Sequence, residues 1–529
     1  MPFLGVTSAV PPVRPSLRFA CPLGVLLLAA ATPARAQTPT YRVYPLPVES
    51  PLHTTPAPPA DARVLVADPA DAVASPYGWH DVDGLPGADR TTTDGNNVTA
   101  YLDADGDFVP DPDEMADGGA ALAFAFALDT ANPEISRDAR LTQAFYTAGV
   151  FHDVLYRYGF TETAGNFQQN NYGRGGLGND RVILEVGAPG SMLGPTIAVP
   201  ADGSPMRFRL AGIGVPGRDA VFDVGLAFHE LTHGLSNRLT GGPATPTCLN
   251  NAEQPGEGWS DWYAMMLTMR PGDTRATPRT FGSYVSGGTP DNPGVRPAPY
   301  SPDFAVNAYT YEDTRTLPGA SGVGFVWTTI LWEVAWDLID AHGLSADLYD
   351  ADGGAGNHRA LHLVTTGLKL QPCRPGFVDG RDAILAADAA LYGGAHTDLL
   401  WRAFARRGLG YSASQGSSAS NADNTEAFDL PPFVAAAPGA EAPALTLAAP
   451  APNPTAGPAH VRFTLPATGP VRLTLHDLTG RTLAVLADAE RAAGTHRLAL
   501  DLGGLAAGLY VLRLEASGSV ATQRVVVAR

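Results

Sequence analysis

His229-Glu230-Leu231-Thr232-His233, followed further along by Gly256-Glu257-Gly258-Trp259-Ser260-Asp261, decides how this chain is read. Side chains four residues apart share one face of a helix. The two imidazoles therefore project together, close enough to share an ion, with Glu230 beside them. Glu257 and Asp261 have the same spacing. A catalytic zinc takes three protein ligands and keeps one position open. His229, His233 and Glu257 can be those ligands, while Asp261 can reach the far ring nitrogen of a zinc histidine and fix its orientation. Glu230, unligated, would take the proton from zinc-bound water as it attacks an amide carbonyl. The competing reading is an ordinary amphipathic helix with a solvated glutamate and two surface histidines. The second carboxylate-bearing helix argues against it.

Working outward, apolar and aromatic residues recur at helical spacing from Leu141 to Tyr158 and end at Gly159. Val182 to Val186 reads as a strand. A helix is expected from Phe222 through His233, stopped by Gly234, and another from Glu257 to Met269, stopped by Pro271. The strongest helical pattern is Phe325 to His342, capped by Gly343; Arg359–Leu370 and Gly380–Tyr392 follow. Residues 37–95, rich in Pro, Ala and Asp, read as extended chain draped over a neighbour. Val434 to Pro458 is nearly all Ala and Pro and reads as a linker. Beyond it, Val461–Leu465, Val471–Leu475, Thr482–Leu486, His496–Leu500, Tyr510–Leu514 and Gln523–Val527 alternate with period two. Six such strands predict a small antiparallel sandwich. The fold class is thus α+β: a mixed, β-rich upstream lobe (37–220), a helical lobe (221–433), the linker (434–458) and the sandwich (459–529).

Lys+Arg number 35 against 53 Asp+Glu, a net charge of −18, which argues against nucleic acid or an anionic membrane as partner. Hydrophobic residues make up 45% of the 529, enough to fill real cores, so wholesale disorder is excluded. At the N-terminus, Arg14 and Arg18 precede an apolar run from Phe19 to Ala31, and Ala34-Arg35-Ala36 precedes Gln37. That is the pattern of a secretory signal peptide, residues 1–36, too short to span a bilayer. No later run reaches the length of apolar residues that a transmembrane segment needs. Cleavage leaves Cys248 and Cys373, which an oxidising compartment would pair; two buried thiols are the alternative.

Asp103, Asp105, Asp107, Asp111 and Glu114 fall at positions 1, 3, 5, 9 and 12 of a calcium-loop pattern. Phe108 stands where the pattern wants glycine, and Pro110 and Pro112 forbid a normal exiting helix. A calcium site and a solvated acidic turn are both open readings.

HELTHGLSNRLTGG with GEGWSDW resembles the fungalysin family of secreted zinc metallopeptidases, whose site is thermolysin-like. GNNVTAYLDADGD (95–107), FHDVLYRYGF (151–160), GNFQQNNYGRGGLGND (165–180), LKLQPCRPGFVDGRDAILAADAALYGG (368–394) and RRGLGYSASQGS (406–417) resemble it too. The resemblance covers about Tyr41 to Phe433. It implies an α-helical zincin lobe over a mixed upstream lobe, zinc on His229, His233 and Glu257, Glu230 as base, and endopeptidase activity on proteins. Three places depart from the family pattern. The stretch between Ala36 and the first well-matched helix is too short for the long propeptide. The usual His-Gly-x-Gly run reads Ala320-Ser321-Gly322-Val323-Gly324, with Ser321 where an oxyanion-stabilising histidine is looked for. The substrate-facing Asn-Asn-Ala-x-Phe strand is not recognisable within Gly190 to Asp202. Tyr309, Tyr311, His342 and His358 are alternative donors.

Ala451-Pro452-Asn453-Pro454 and the strand-rich tail, with HDLTGRTLAVL (476–486), AGTHRLALD (493–501) and GLAAGLYVLRLE (504–515), resemble the C-terminal sorting domain of type IX secretion. That implies the secretion machinery as partner; an immunoglobulin-like binding module is the alternative. The leading expectation is a secreted zinc endopeptidase acting on extracellular proteins. The rival is a catalytically impaired surface protein that works by binding, and a calcium-dependent adhesin is a third idea.

Overall fold

Thr40-Tyr41-Arg42-Val43 alternates half-buried and buried side chains and forms strand β1. The computed structural model describes residues 38–528 apart from 57, 59, 105, 106, 188–198, 211–214, 216, 254, 290–293, 435–444 and 517. The expected signal segment, Asp105, residues 435–444 of the linker and most of the 190–202 stretch lie outside the described residues. β1 pairs antiparallel with β2 (Val64–Ala67) and parallel with the short β4 (Ala123–Phe124). A second sheet is all parallel, β3 (Val98–Tyr101), β5 (Val182–Val186) and β6 (Arg207–Leu210) in spatial order. Every residue of β5 is buried, as a central parallel strand requires. Helix α1 (Arg137–Arg157) packs against β1, β3 and β5. Residues 37–95 are not merely draped: two segments are tied in. β1 and β2 pair there, and Trp79 is buried with its indole N–H donating to Asp153 of α1 at 2.8 Å.

The helical lobe comprises α2 (Val224–Leu239), α3 (Gly256–Leu267), α4 (Gly319–His342), α5 (Gly356–Leu370), α6 (Phe377–Tyr392) and α7 (Thr397–Arg406). Asp223 caps α2 by accepting the Leu226 N–H at 3.1 Å. α2 does not stop at Gly234, as expected from sequence, but runs on to Leu239. A Cβ at position 234 would stand 2.6 Å from the Met206 sulfur and from the Phe167 ring, so this glycine permits close packing rather than ending the helix. α4 starts at Gly319, not Phe325, and α7 has no counterpart in the sequence reading. Among the described residues, α4 is the helix long and apolar enough to cross a bilayer. It is instead the core of this lobe, with Trp327, Trp332 and Trp336 buried. Cys248 and Cys373 form a disulfide with Cα atoms 4.5 Å apart, tying the loop after α2 to the loop ahead of α6.

The six expected tail strands are all present: β8 (Pro458–Leu465), β9 (Gly469–His476), β10 (Thr482–Arg491), β11 (Gly494–Asp501), β12 (Gly508–Ala516) and β13 (Ser519–Val527). A seventh, β7 (Thr446–Leu447), lies inside the stretch read as linker and pairs with β8. Two antiparallel sheets, β10-β9-β12-β13 and β11-β8-β7, enclose Val461, Phe463, Leu473, Leu512, Leu514 and Val525.

The acidic loop at 103–114 is spent on the backbone. Asp103 and Asp107 accept the N–H groups of Phe108 (3.3 Å) and Val109 (2.7 Å). Glu114 is buried and accepts from Ala104 and Asp111, closing a capping box with Asp111 on the turn Pro112–Glu114. No three of its described carboxylates gather on one point. Calcium therefore draws no support from this geometry.

Candidate metal centre

α2 carries His229 and His233 one turn apart, and α3 brings Glu257 against them. Their approach depends on glycine: a Cβ at Gly324 of α4 would lie 2.5 Å from the Glu257 Cβ, so any larger residue there would displace the carboxylate. The two His Nε2 atoms are 3.2 Å apart. Glu257 places Oε2 at 3.5 Å from His229 Nε2 and Oε1 at 3.5 Å from His233 Nε2. Zinc bonds of about 2.0–2.1 Å at tetrahedral angles separate ligand atoms by about 3.3–3.4 Å. The two Nε2 atoms thus already stand at the spacing that one zinc needs, and the Glu257 carboxylate faces both of them, one oxygen toward each ring. The donor set also suits zinc, with two imidazoles and one carboxylate leaving the fourth position open.

Behind this triangle lies a buried support. Asp261 is 1% exposed and accepts His229 Nδ1 at 2.8 Å. It also accepts Arg296 Nε at 2.6 Å, Arg296 Nη2 at 2.8 Å and the Tyr300 hydroxyl. Burial pushes its carboxyl up, but Arg296 and His229 outweigh that and hold it well below the usual carboxylate range. An ionised Asp261 keeps the proton on Nδ1 and turns the Nε2 lone pair toward the ligand triangle. Glu257 behaves alike: against the opposing pull of burial, His229, His233 and Arg296 hold it at about 2. The Phe281 ring packs on His229 with centroids 5.1 Å apart, and Arg296 lies over Phe281 at 5.0 Å.

His229, His233, Glu257 and Asp261, all named from the sequence, come together here. Glu230, half-buried, follows His229 on α2 and is outside the ligand triangle. Ser321 is exposed at the start of α4, its hydroxyl 3.3 Å from Glu257 Oε2. Two of the alternative donors are engaged elsewhere. The Tyr311 hydroxyl donates to buried Glu253, and His358 Nε2 lies 2.9 Å from the Asp347 carbonyl. Tyr309 packs edge-on to Phe325. His342 ends α4, about 30 Å along the helix from Ser321, and meets His396. Arg296, Tyr300 and Phe281 escaped the sequence reading, because they sit in the irregular Pro-rich stretch after α3 where no periodicity marks them. A second acidic group, Asp81, Asp83 and Asp89, has carboxylates close together. They already accept the backbone N–H groups of Val82, Asp83, Gly84 and Leu85.

Asp261→Asn tests the support. Losing the fixed tautomer is expected to weaken zinc binding about 10–100-fold, read by competition with a chromogenic chelator. An unchanged zinc affinity would remove Asp261 from this role.

The fungalysin metallopeptidase family pattern matches residues 40–413, well over half of the chain. The chain belongs to the fungalysin family. Residues 451–528 of this fungalysin match the secretion system C-terminal sorting domain. It is 42% identical over 403 residues to "Extracellular metalloproteinase MEP" of Fusarium vanettenii, covering 74% of this chain and 60% of that protein. The protein of the same name in Pyricularia oryzae is 42% identical over 398 residues, 72% of this chain and 60% of its own length. "Extracellular metalloproteinase mep" of Aspergillus fumigatus is 41% identical over 369 residues, 67% and 56% of the two chains. This fungalysin thus spans about 60% of the length of these relatives. The family match takes in His229, His233, Glu257, Arg296 and both cysteines of the disulfide.

Proposed function

We propose that this fungalysin is a secreted zinc endopeptidase that hydrolyses peptide bonds of extracellular proteins. The observation that carries the reading is the cluster of His229, His233 and Glu257, two imidazole nitrogens 3.2 Å apart faced by one carboxylate, with Asp261 behind it. Zinc, when bound there, supplies a Lewis acid that makes water nucleophilic near neutral pH and polarises a carbonyl. The chain's own residues do the rest. Asp261, held by Arg296 and Tyr300, fixes the His229 ring. Glu230 accepts the proton of the attacking water and returns it to the leaving amine. The Ser321 hydroxyl, beside Glu257, stands at the edge of the site where a donor to the developing oxyanion is needed. The signal-like N-terminus and the sorting domain support passage out of the cell, with the secretion machinery as a partner of the tail.

The direct test is casein hydrolysis by residues 37–529. Cleavage should vanish with a chelator and return with zinc. Stoichiometric zinc without cleavage would favour a protein that works by binding instead.

Ser321→His gives a second readout. One well-placed donor to the oxyanion is worth about 10²–10³ in rate. An imidazole at 321 is therefore expected to raise kcat by about tenfold or more with little change in KM. An equal or lower kcat would show that another group already fills this role.

A further inference from the structure

The outward face of the tail sheet β11-β8-β7 carries an arrangement that is unfavourable by itself. Arg462 on β8 and Arg497 on β11 are direct cross-strand partners, and His460 lies two residues from Arg462 on the same face. Like charges opposite one another destabilise a sheet unless something offsets them. Here the offset comes from the peptidase domain. Asp313, wholly buried in the short turn Tyr311–Arg315, meets His460 Nε2 at 3.0 Å, Arg462 Nη2 at 3.3 Å and Arg497 Nη2 at 3.1 Å. Arg497 Nη1 also donates to Glu312 at 2.6 Å. Arg462 reaches Glu426 at 3.4 Å and the Ala308 carbonyl. Arg462 is 3% exposed, so its charge has left water and depends on these partners. The same turn leads straight into α4, whose first residues include Ser321 and the Gly324 that packs on Glu257.

We propose that the sorting domain is a specific non-covalent partner of its own peptidase domain, docked through Arg462 and Arg497 onto Asp313, Glu312 and Glu426. The two domains then stay associated when the connection between them is cut, and docking steadies residues 308–322 at the rim of the metal site. This rests on the described contacts and not on the peptidase reading.

The test uses the full chain with a site-specific protease sequence inserted between Val434 and Leu445, in a Glu230→Gln background that prevents self-digestion. After cutting, the two pieces should co-elute on gel filtration at micromolar concentration. Arg462→Leu with Arg497→Leu should raise the dissociation constant about thirtyfold or more. The amides of 308–322 should then exchange faster, while each piece keeps its cooperative melting. Glu312→Arg, on the opposite surface and partly exposed, should weaken association about tenfold, so the test survives if the double variant fails to fold. Separation of the unsubstituted pieces would overturn the proposal. So would affinity and exchange that the variants leave unchanged.

Discussion

Glu230→Gln is expected to lower kcat/KM on a peptide substrate by about 10³-fold or more while zinc stays bound in full. The two halves of this expectation have separate origins. Zinc binding belongs to His229, His233 and Glu257, whose Nε2 atoms lie 3.2 Å apart and each within 3.5 Å of a Glu257 oxygen, without any part played by Glu230. Proton transfer belongs to Glu230, and an amide of the same shape cannot accept the proton. A thousandfold loss is about 4 kcal/mol of barrier, within the range of a positioned general base. Steady-state kinetics with zinc content measured on the same sample checks both halves. Activity within tenfold of wild type would end the general-base assignment, and loss of zinc would show that the substitution had disturbed the ligands instead.

Opening the disulfide should act on stability and leave chemistry alone. Cys248 and Cys373 are 125 residues apart in sequence. A cross-link closing a loop of that length removes about 5 kcal/mol of chain entropy from the unfolded state. Cys248→Ser with Cys373→Ser is therefore expected to lower the urea midpoint of the peptidase domain clearly, by up to that amount. The bridge joins loops rather than ligand-bearing turns, so zinc affinity and kcat at 25 °C should hold. Reductant should reproduce the shift in the wild type. Equal midpoints with and without reductant would show that the bridge carries no stability.

The zinc ligands were legible because their geometry is local. A spacing of four on one helix brings His229 and His233 together whatever the rest of the chain does, and the Glu257–Asp261 spacing repeats the argument. β5 was legible for a related reason, since a strand buried on both faces reads as an apolar run, here Val182-Ile183-Leu184 and Val186 with Glu185 the one interruption. Gly234 was misread because a glycine late in a helical pattern has two meanings. Only Met206 and Phe167, distant in sequence, decide that here it serves packing. Arg296 and Tyr300 were invisible for the same cause: their role exists through Asp261, and nothing in a Pro-rich loop announces which acid an arginine will meet. The seventh tail strand was hidden by composition, because two residues in an Ala/Pro stretch carry no period of their own.

α4 could have suited two solvents. Among the described residues it is the helix whose length and composition would suit a bilayer as well as a core. Its acids oppose the bilayer, since an acid near the middle of a membrane helix costs about 2.5–3.5 kcal/mol on insertion scales. In the folded protein Glu333 is wholly buried, held by Arg407 at 2.7 Å and Arg275 at 3.0 Å, where an apolar residue would pack without needing cations. Glu333 thus makes this helix a costly membrane span, while Arg407 and Arg275 keep its charge paired inside the folded lobe.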